Sequence, residues 1–225
     1  MAAGIFGVCG EWGKSASMTA MTVLHPFTAN GNDLLLPGAE LWFAPDWLAA
    51  GQADALFAAL QEDVAWETHR IRMFGRMVDS PRMSCWIGDP GSAYTYSGTR
   101  FEPHPWPSPL LEAVRTRLAH ELGGAFNSAL ANRYRDGRHY MGWHSDNEAA
   151  LGPRPVIASL SLGATRRFVL KHRQDAAQGK LELELPHGSL LVMRGDTQRN
   201  YKHALPRTAK PVGERINLTF RHIVG

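Results

Sequence analysis

Arg215–Arg221 reads RINLTFR, and the fold turns on how that strand is read. Side chains of an extended segment alternate between two faces. Arg215, Asn217, Thr219 and Arg221 therefore share one face, and Ile216, Leu218 and Phe220 share the other. The apolar set is an ordinary core face. The polar set puts two guanidiniums on a strand whose opposite side is buried. Turned inward, both charges need partners, and the strand holds no Asp or Glu. A small dianion would serve, because Arg grips carboxylates through paired N–H donors. Turned outward, the same residues are solvated arginines on an edge strand. The strand alone leaves both readings open.

Working back from it, the second half of the chain is strand-rich. Ala125–Tyr134, Pro155–Gly163, Arg167–Lys171, Leu181–Leu185, Ser189–Met193 and Arg215–His222 all read as strands, separated by Gly, Pro, Asp and Asn. Leu181–Leu185 (LELEL) alternates strictly, one wet face and one buried. The first half reads differently. Leu41–Phe43 is a short strand, and Asp46–Glu62 is an amphipathic helix with Leu48, Leu56, Phe57 and Leu60 as its apolar positions. Ser108 and Pro109 form a helix start, with Leu111, Val114, Leu118 and Leu122 on one face and Gly123–Gly124 as the stop. Between the helices, residues 68–104 show little periodicity and are rich in Arg, Met, Gly and aromatics, which reads as a long functional loop. The fold class is α+β, with short strands and no intervening helices pointing to a sandwich or jelly roll.

The chain has 225 residues, 44% hydrophobic and 20% charged, enough to bury one large core. No apolar run approaches the roughly 18 residues of a membrane-spanning helix. Two cysteines, Cys9 and Cys85, are too few for a disulfide scaffold and favour a reducing compartment. The N-terminus lacks a basic, then apolar, secretory pattern. A net charge of +3 is compatible with nucleic acid without requiring it. Basic residues cluster at His69–Arg76, Arg133–His139 and Arg166–Arg173, interleaved with aromatics; each cluster alone reads as solvated surface.

Asn132–Glu148 (NRYRDGRHYMGWHSDNE) holds the other candidate chemistry. His144 and Asp146 stand two apart, so one strand end would aim both at one ion. His203 lies 57 positions after Asp146 and would have to come from another strand. Two imidazoles and one carboxylate suit a ferrous ion with open positions; the same set also binds zinc in hydrolases. With ten histidines in the chain, a lone His-X-Asp is weak evidence.

Together the motifs are specific. Asn132-X-Tyr134, His144-X-Asp146, SLSLG at Ser159–Gly163, HGSLLVM at His187–Met193, the distal His203 and RINLTFR occur in one order that resembles the AlkB family of Fe(II)/2-oxoglutarate dioxygenases. The similarity runs from about Pro37 to the C-terminus, and PRMSCWIGD and AYTYSG resemble the branch that acts on double-stranded DNA.

The resemblance implies a double-stranded β-helix, or jelly-roll, core with N-terminal helices and a nucleotide-recognition lid. Residues 37–225 would be one dioxygenase domain, with the lid at 68–104 and residues 1–36 a flexible extension. His144, Asp146 and His203 would hold Fe(II). Asn132, Tyr134, Arg215, Asn217 and Arg221 would bind 2-oxoglutarate. With O2, the enzyme would dealkylate 1-methyladenine, 3-methylcytosine and etheno adducts in DNA, releasing succinate, CO2 and formaldehyde. The target base would be flipped out of single- or double-stranded DNA. Tyr96 would stack on it opposite His144, Tyr94 would line the pocket, and Glu148 would accept from its exocyclic amine. Phe74, within Met73-Phe74-Gly75, would be a wedge that fills the vacated stack. Arg166–Arg167 would add a basic rim for phosphates. The implied enzyme is a monomer without membrane association, cytoplasmic in a bacterium and nuclear in a eukaryote. An RNA demethylase of the same chemistry and a non-catalytic, metal-containing nucleic-acid-binding module are the competing readings.

Overall fold

The computed structural model describes residues 31–73, 76–96 and 99–224, with side chains for all of these except 71–73, 76, 94–96 and 99. Most of the expected N-terminal extension, residues 1–30, lies outside the described residues. The strands run in chain order β1 (Asn32–Leu34), β2 (Glu40–Ala44), β3 (Arg70–Met73), β4 (Arg76–Asp79), β5 (Met83–Gly88), β6 (Tyr94–Tyr96), β7 (Thr99–Phe101), β8 (Ser128–Tyr134), β9 (Met141–His144), β10 (Ile157–Gly163), β11 (Arg166–His172), β12 (Lys180–Leu185), β13 (Ser189–Arg194), β14 (Tyr201–Leu205) and β15 (Arg215–Arg221). Helix α1 is Ala50–Asp63, α2 is Pro109–Leu122, and α3 is a single turn, Thr197–Asn200.

Two antiparallel sheets face each other. The larger has the order β1-β2-β13-β10-β15-β8-β5, and the smaller β12-β11-β14-β9. Two apolar cores follow from this layering. One lies between the sheets and includes Leu41, Trp86, Phe168, Leu170, Leu191, Met193 and Tyr201. The other lies on the outer face of the larger sheet, where Leu160, Leu162, Leu190, Val192, Ile216, Leu218 and Phe220 meet Leu56 and Leu60 of α1 and Leu111 and Leu118 of α2. The result is the expected jelly roll with helices packed outside it. It also decides the orientation of RINLTFR. β15 sits inside the larger sheet, between β10 and β8, and all seven of its residues are buried. The edge-strand reading is thereby excluded.

Helix α2 follows the sequence closely. Ser108 Oγ accepts from the Leu111 N–H at 3.3 Å, Pro109 opens the helix, and Gly123 ends it with φ 66°. Gly123 adopts the left-handed conformation that only glycine takes without strain. Helix α1 begins at Ala50, later than the expected Asp46. The intervening residues are held elsewhere: the Trp47 indole donates to Glu121 at 2.8 Å, and the Leu48 N–H donates to the Gly188 carbonyl at 3.0 Å. A larger correction concerns 68–104. That stretch is not irregular; it contains β3 to β7. β3 and β4 pair from Arg70↔Asp79 to Met73↔Arg76, and β5 joins the larger sheet beside β8. β5 (MSCWIG) is buried on both faces apart from its first residue, so it shows no two-residue alternation to read.

Candidate active site

Antiparallel pairing of β9 with β14 sets His144 directly opposite His203. Asp146 follows the end of β9. Ligand atoms of these three residues all lie within 4.8 Å of one another, and the imidazole centroids are 4.2 Å apart. Each group is prepared for a cation. His144 Nδ1 lies 2.9 Å from the Gly142 carbonyl, which can only accept. The proton therefore sits on Nδ1 and leaves the Nε2 lone pair free. His203 is buried, and that burial, reinforced by His144, pushes its imidazole down to about 3, so it stays neutral. Burial pushes the Asp146 carboxyl up, but the Arg221 guanidinium beside it outweighs that and holds it below the usual carboxylate range. Two imidazoles and an ionised carboxylate converge on one point, which is the donor set of a divalent metal with open positions.

Two cavities meet at this triad. The first is lined by His69, Ser80, Arg82, Ser84, Trp86 and Phe101, and the second by Asn132, Tyr134, Ser159, Phe168, Arg215 and Asn217. Both share Leu130, Met141, His144, Asp146 and Arg221. The second cavity is walled by the polar face of β15. Arg215 Nη2 donates to Ser161 Oγ at 2.9 Å, and its guanidinium lies 5.3 Å from the Tyr134 ring centroid. Its Nε is buried with no hydrogen-bond partner. Burial lowers this guanidinium to about 10. An arginine held in a closed pocket with a donor unspent fits a carboxylate ligand. Asn217 Nδ2 donates to Ser159 Oγ and to the Leu160 carbonyl, both at 2.9 Å, which fixes its amide against β10. Arg221 differs from the expectation in one respect. Its Nη2 donates to Asp146 Oδ1 at 3.0 Å, so it ties the triad's carboxylate to β15 as well as lining both cavities.

Among the residues expected to touch the base, Tyr94 and Tyr96 lie in β6 but their side chains are not described, and Phe74 lies outside the described residues. Glu148 is half-buried beyond Asp146 and is not among the residues lining either cavity. The basic rim also needs correction. Arg166 is 2% exposed and donates to the carbonyls of Asp136, His139 and Pro206, closing loops rather than facing phosphates. Arg167 is the exposed member and pairs with Glu182 at 3.2 Å.

Two further positions are not singled out by the sequence reading, although Arg82 stands within the PRMSCWIGD stretch. Arg82 is buried, donates through Nε to Asn132 Oδ1 at 2.6 Å and through Nη1 to Ser80 Oγ, and so joins the walls of the two cavities. Gln198, also buried, accepts the Asp146 N–H at 2.9 Å and reaches Met193 Sδ at 3.5 Å. Both act across about fifty positions of chain. The short GDTQRN segment around Gln198 would have been the place to look.

Comparison with known proteins agrees with this geometry. Residues 40–221 match the 2OG-Fe(II) oxygenase superfamily. The chain is 38% identical over 211 residues to the DNA oxidative demethylase ALKBH2 of Arabidopsis thaliana, covering 83% of this chain and 67% of that one. It is 39% identical over 182 residues to the Mus musculus protein of the same name, covering 77% and 76%. It is 34% identical over 186 residues to the alpha-ketoglutarate-dependent dioxygenase alkB homolog 3 of Homo sapiens, covering 80% and 64%. The solved structure of OsALKBH1 shares the fold, with a TM-score of 0.56 at 18% identity over 84% of this chain and 98% of that one. With a triad, an arginine-lined second cavity and these relatives in agreement, the chain belongs to the AlkB family within the 2OG-Fe(II) oxygenase superfamily, whose members are dioxygenases that use Fe(II) and 2-oxoglutarate.

Proposed function

We propose that this dioxygenase removes alkyl groups from N-alkylated bases in DNA, with 1-methyladenine and 3-methylcytosine as its simplest substrates. The observation that carries the reading is the meeting of two differently built cavities at one triad. The relatives named DNA oxidative demethylase supply the substrate class. The residues present suit the metal and the oxo-acid: His144, Asp146 and His203 would hold Fe(II), and Arg215, Asn217, Tyr134, Asn132 and Arg221 would hold 2-oxoglutarate. When bound, these supply with O2 the oxidising power that hydroxylates the N-alkyl carbon, with loss of formaldehyde from a methyl group and formation of succinate and CO2.

The chain's own part is placement and exclusion. Arg215, oriented by Ser161, would fix one end of the dianion deep in the second cavity. Arg221 holds Asp146 and keeps its carboxylate ionised. In the first cavity Trp86 and Phe101 offer apolar walls to a planar base, while Arg82, Ser84 and His69 offer polar contacts at its edge. The described residues include no helix long and apolar enough to cross a membrane.

A base inside a duplex must leave the stack to reach this cavity. The β3–β4 hairpin, with Phe74 between its strands in sequence, is the element we assign to that step. Phe74→Ala should cut activity on double-stranded substrate and spare single-stranded substrate, because a wedge is needed only where there is a stack to hold open. Equal losses on both would remove Phe74 from this role.

The deciding experiment incubates the protein with Fe(II), 2-oxoglutarate and a 1-methyladenine oligonucleotide, first without and then with O2. Succinate and formaldehyde should appear in equal amounts only with O2. Turnover of methylated RNA but not DNA would move the substrate class, and no turnover of either would overturn the reading.

A further inference from the structure

The outer face of the smaller sheet carries a row of lysines that the fold does not require. β11 lies between β12 and β14, and its register sets Lys171 directly opposite Lys180 on one side and Lys202 on the other. Residues directly opposite in an antiparallel pair share a face, and like charges so placed repel. Leu170, one position before Lys171, is buried between the sheets, so the row faces outward. Lys180 is offset by Glu182 at 3.0 Å. Lys171 Nζ lies 4.2 Å from the centroid of the Trp143 ring. Lys202 makes no ion pair among the described residues.

Trp143 is 41% exposed and immediately precedes the ligand His144. An exposed indole is unusual on an otherwise charged sheet face, and it stands on the edge strand β9, one position from His144 and on the opposite face of the sheet. Ammonium groups in a row with an exposed aromatic at their end are the components of a single-strand platform: cations take phosphates, and the ring takes a base. A mononucleotide has no neighbouring base or phosphate to reach it.

We propose that Trp143, Lys171 and Lys202 dock the DNA strand that flanks the target base, with Trp143 stacking on an unpaired neighbour and the two lysines neutralising its phosphates. This rests on the DNA reading above and names where the strand beyond the lesion lies. It makes an unpaired flank, rather than a fully paired one, the better partner for this face.

The test measures binding of a fluorescent single-stranded oligothymidylate by anisotropy, apart from turnover. Trp143→Ala should weaken binding roughly 5- to 150-fold, the range for loss of one base–aromatic stack, and Trp143→Phe should recover most of it. The double variant Lys171→Ala/Lys202→Ala should flatten the slope of log Kd against log salt by about 1.4, two single-strand phosphates at about 0.7 each. The same double variant should raise KM for a methylated oligonucleotide while leaving kcat/KM for a methylated mononucleotide near wild type. Co(II) binding by each variant checks that the triad persists, and the lysine pair, with Lys171 remote from the ligands in sequence, decides the matter if Trp143→Ala disturbs it. Wild-type turnover of methylated oligonucleotide, with all variants binding oligothymidylate as wild type does, would overturn the surface and leave the proposed function intact. A wild-type protein that neither binds nor turns over an oligonucleotide would overturn both.

Discussion

Arg215 is the largest fully buried side chain among the described residues, and a buried guanidinium with an unspent Nε stays costly until an anion meets it. Removing it should therefore show first in co-substrate affinity. Arg215→Ala is expected to raise the 2-oxoglutarate KM by ~10²-fold or more, the usual cost of truncating one side of a buried charge pair, with oligonucleotide affinity little changed. A titration of initial rate against 2-oxoglutarate checks this, and an unchanged KM would move the carboxylate site elsewhere. Gln198 acts one step back from the metal. Its side chain holds the Asp146 N–H, and loss of such outer partners typically weakens metal binding 10- to 100-fold. Gln198→Ala should do so in a Co(II) titration of the apoprotein, and Co(II) affinity equal to wild type would reduce Gln198 to packing. These two residues also mark the limit of what the sequence makes legible. Arg215 announces itself through alternation with Ile216 and Leu218. Gln198 and Arg82 carry no local pattern, because their partners Asp146 and Asn132 lie 52 and 50 positions away.

At the scale of elements, legibility follows periodicity and capping. Helix α2 was readable at both ends because Ser108, Pro109 and Gly123 each answer a backbone requirement locally. β12 was readable because one of its faces is wet and carries Glu182 and Glu184. β9 and β14 have no readable pattern in the sequence although they carry His144 and His203: each is at most five residues long, and polar residues interrupt whatever apolar pattern they have. Asp46 resembled a helix start, but Trp47 and Leu48 answer to Glu121 and Gly188 and delay the helix. The α2 cap supports a clean stability test. Ser108→Ala removes the side-chain acceptor for the Leu111 N–H and should cost about 1 kcal/mol in urea unfolding. Activity should be unaffected, since α2 packs on the outer face of the larger sheet and lines neither cavity. A loss of activity larger than the loss of stability would mean that α2 transmits strain to the site.

For the whole molecule, the second cavity couples folding to ligand. A dianion that binds only the native protein stabilises it by mass action, by about 2.7 kcal/mol at a hundredfold excess over Kd. For a chain of this size that corresponds to a rise in Tm of roughly 5–10 °C. Mn(II) with 2-oxoglutarate should produce this shift in wild-type protein under nitrogen, and Arg215→Ala should abolish most of it. A variant that shifts as far as wild type would show that the stabilisation comes from the metal alone.

β15 has one more consequence, for how the chain tolerates change. Residues 206–214, which lead into it, are all exposed or half-buried, whereas all seven residues of Arg215–Arg221 are buried. Its odd-numbered positions face the two cavities and its even-numbered positions fill the outer core. No residue of the strand is spare. A saturation library selected for alkylation resistance should return a nearly blank block seven codons wide, preceded by a permissive stretch. Within the block, the even positions should admit only other apolar side chains of similar volume, and the odd positions almost nothing.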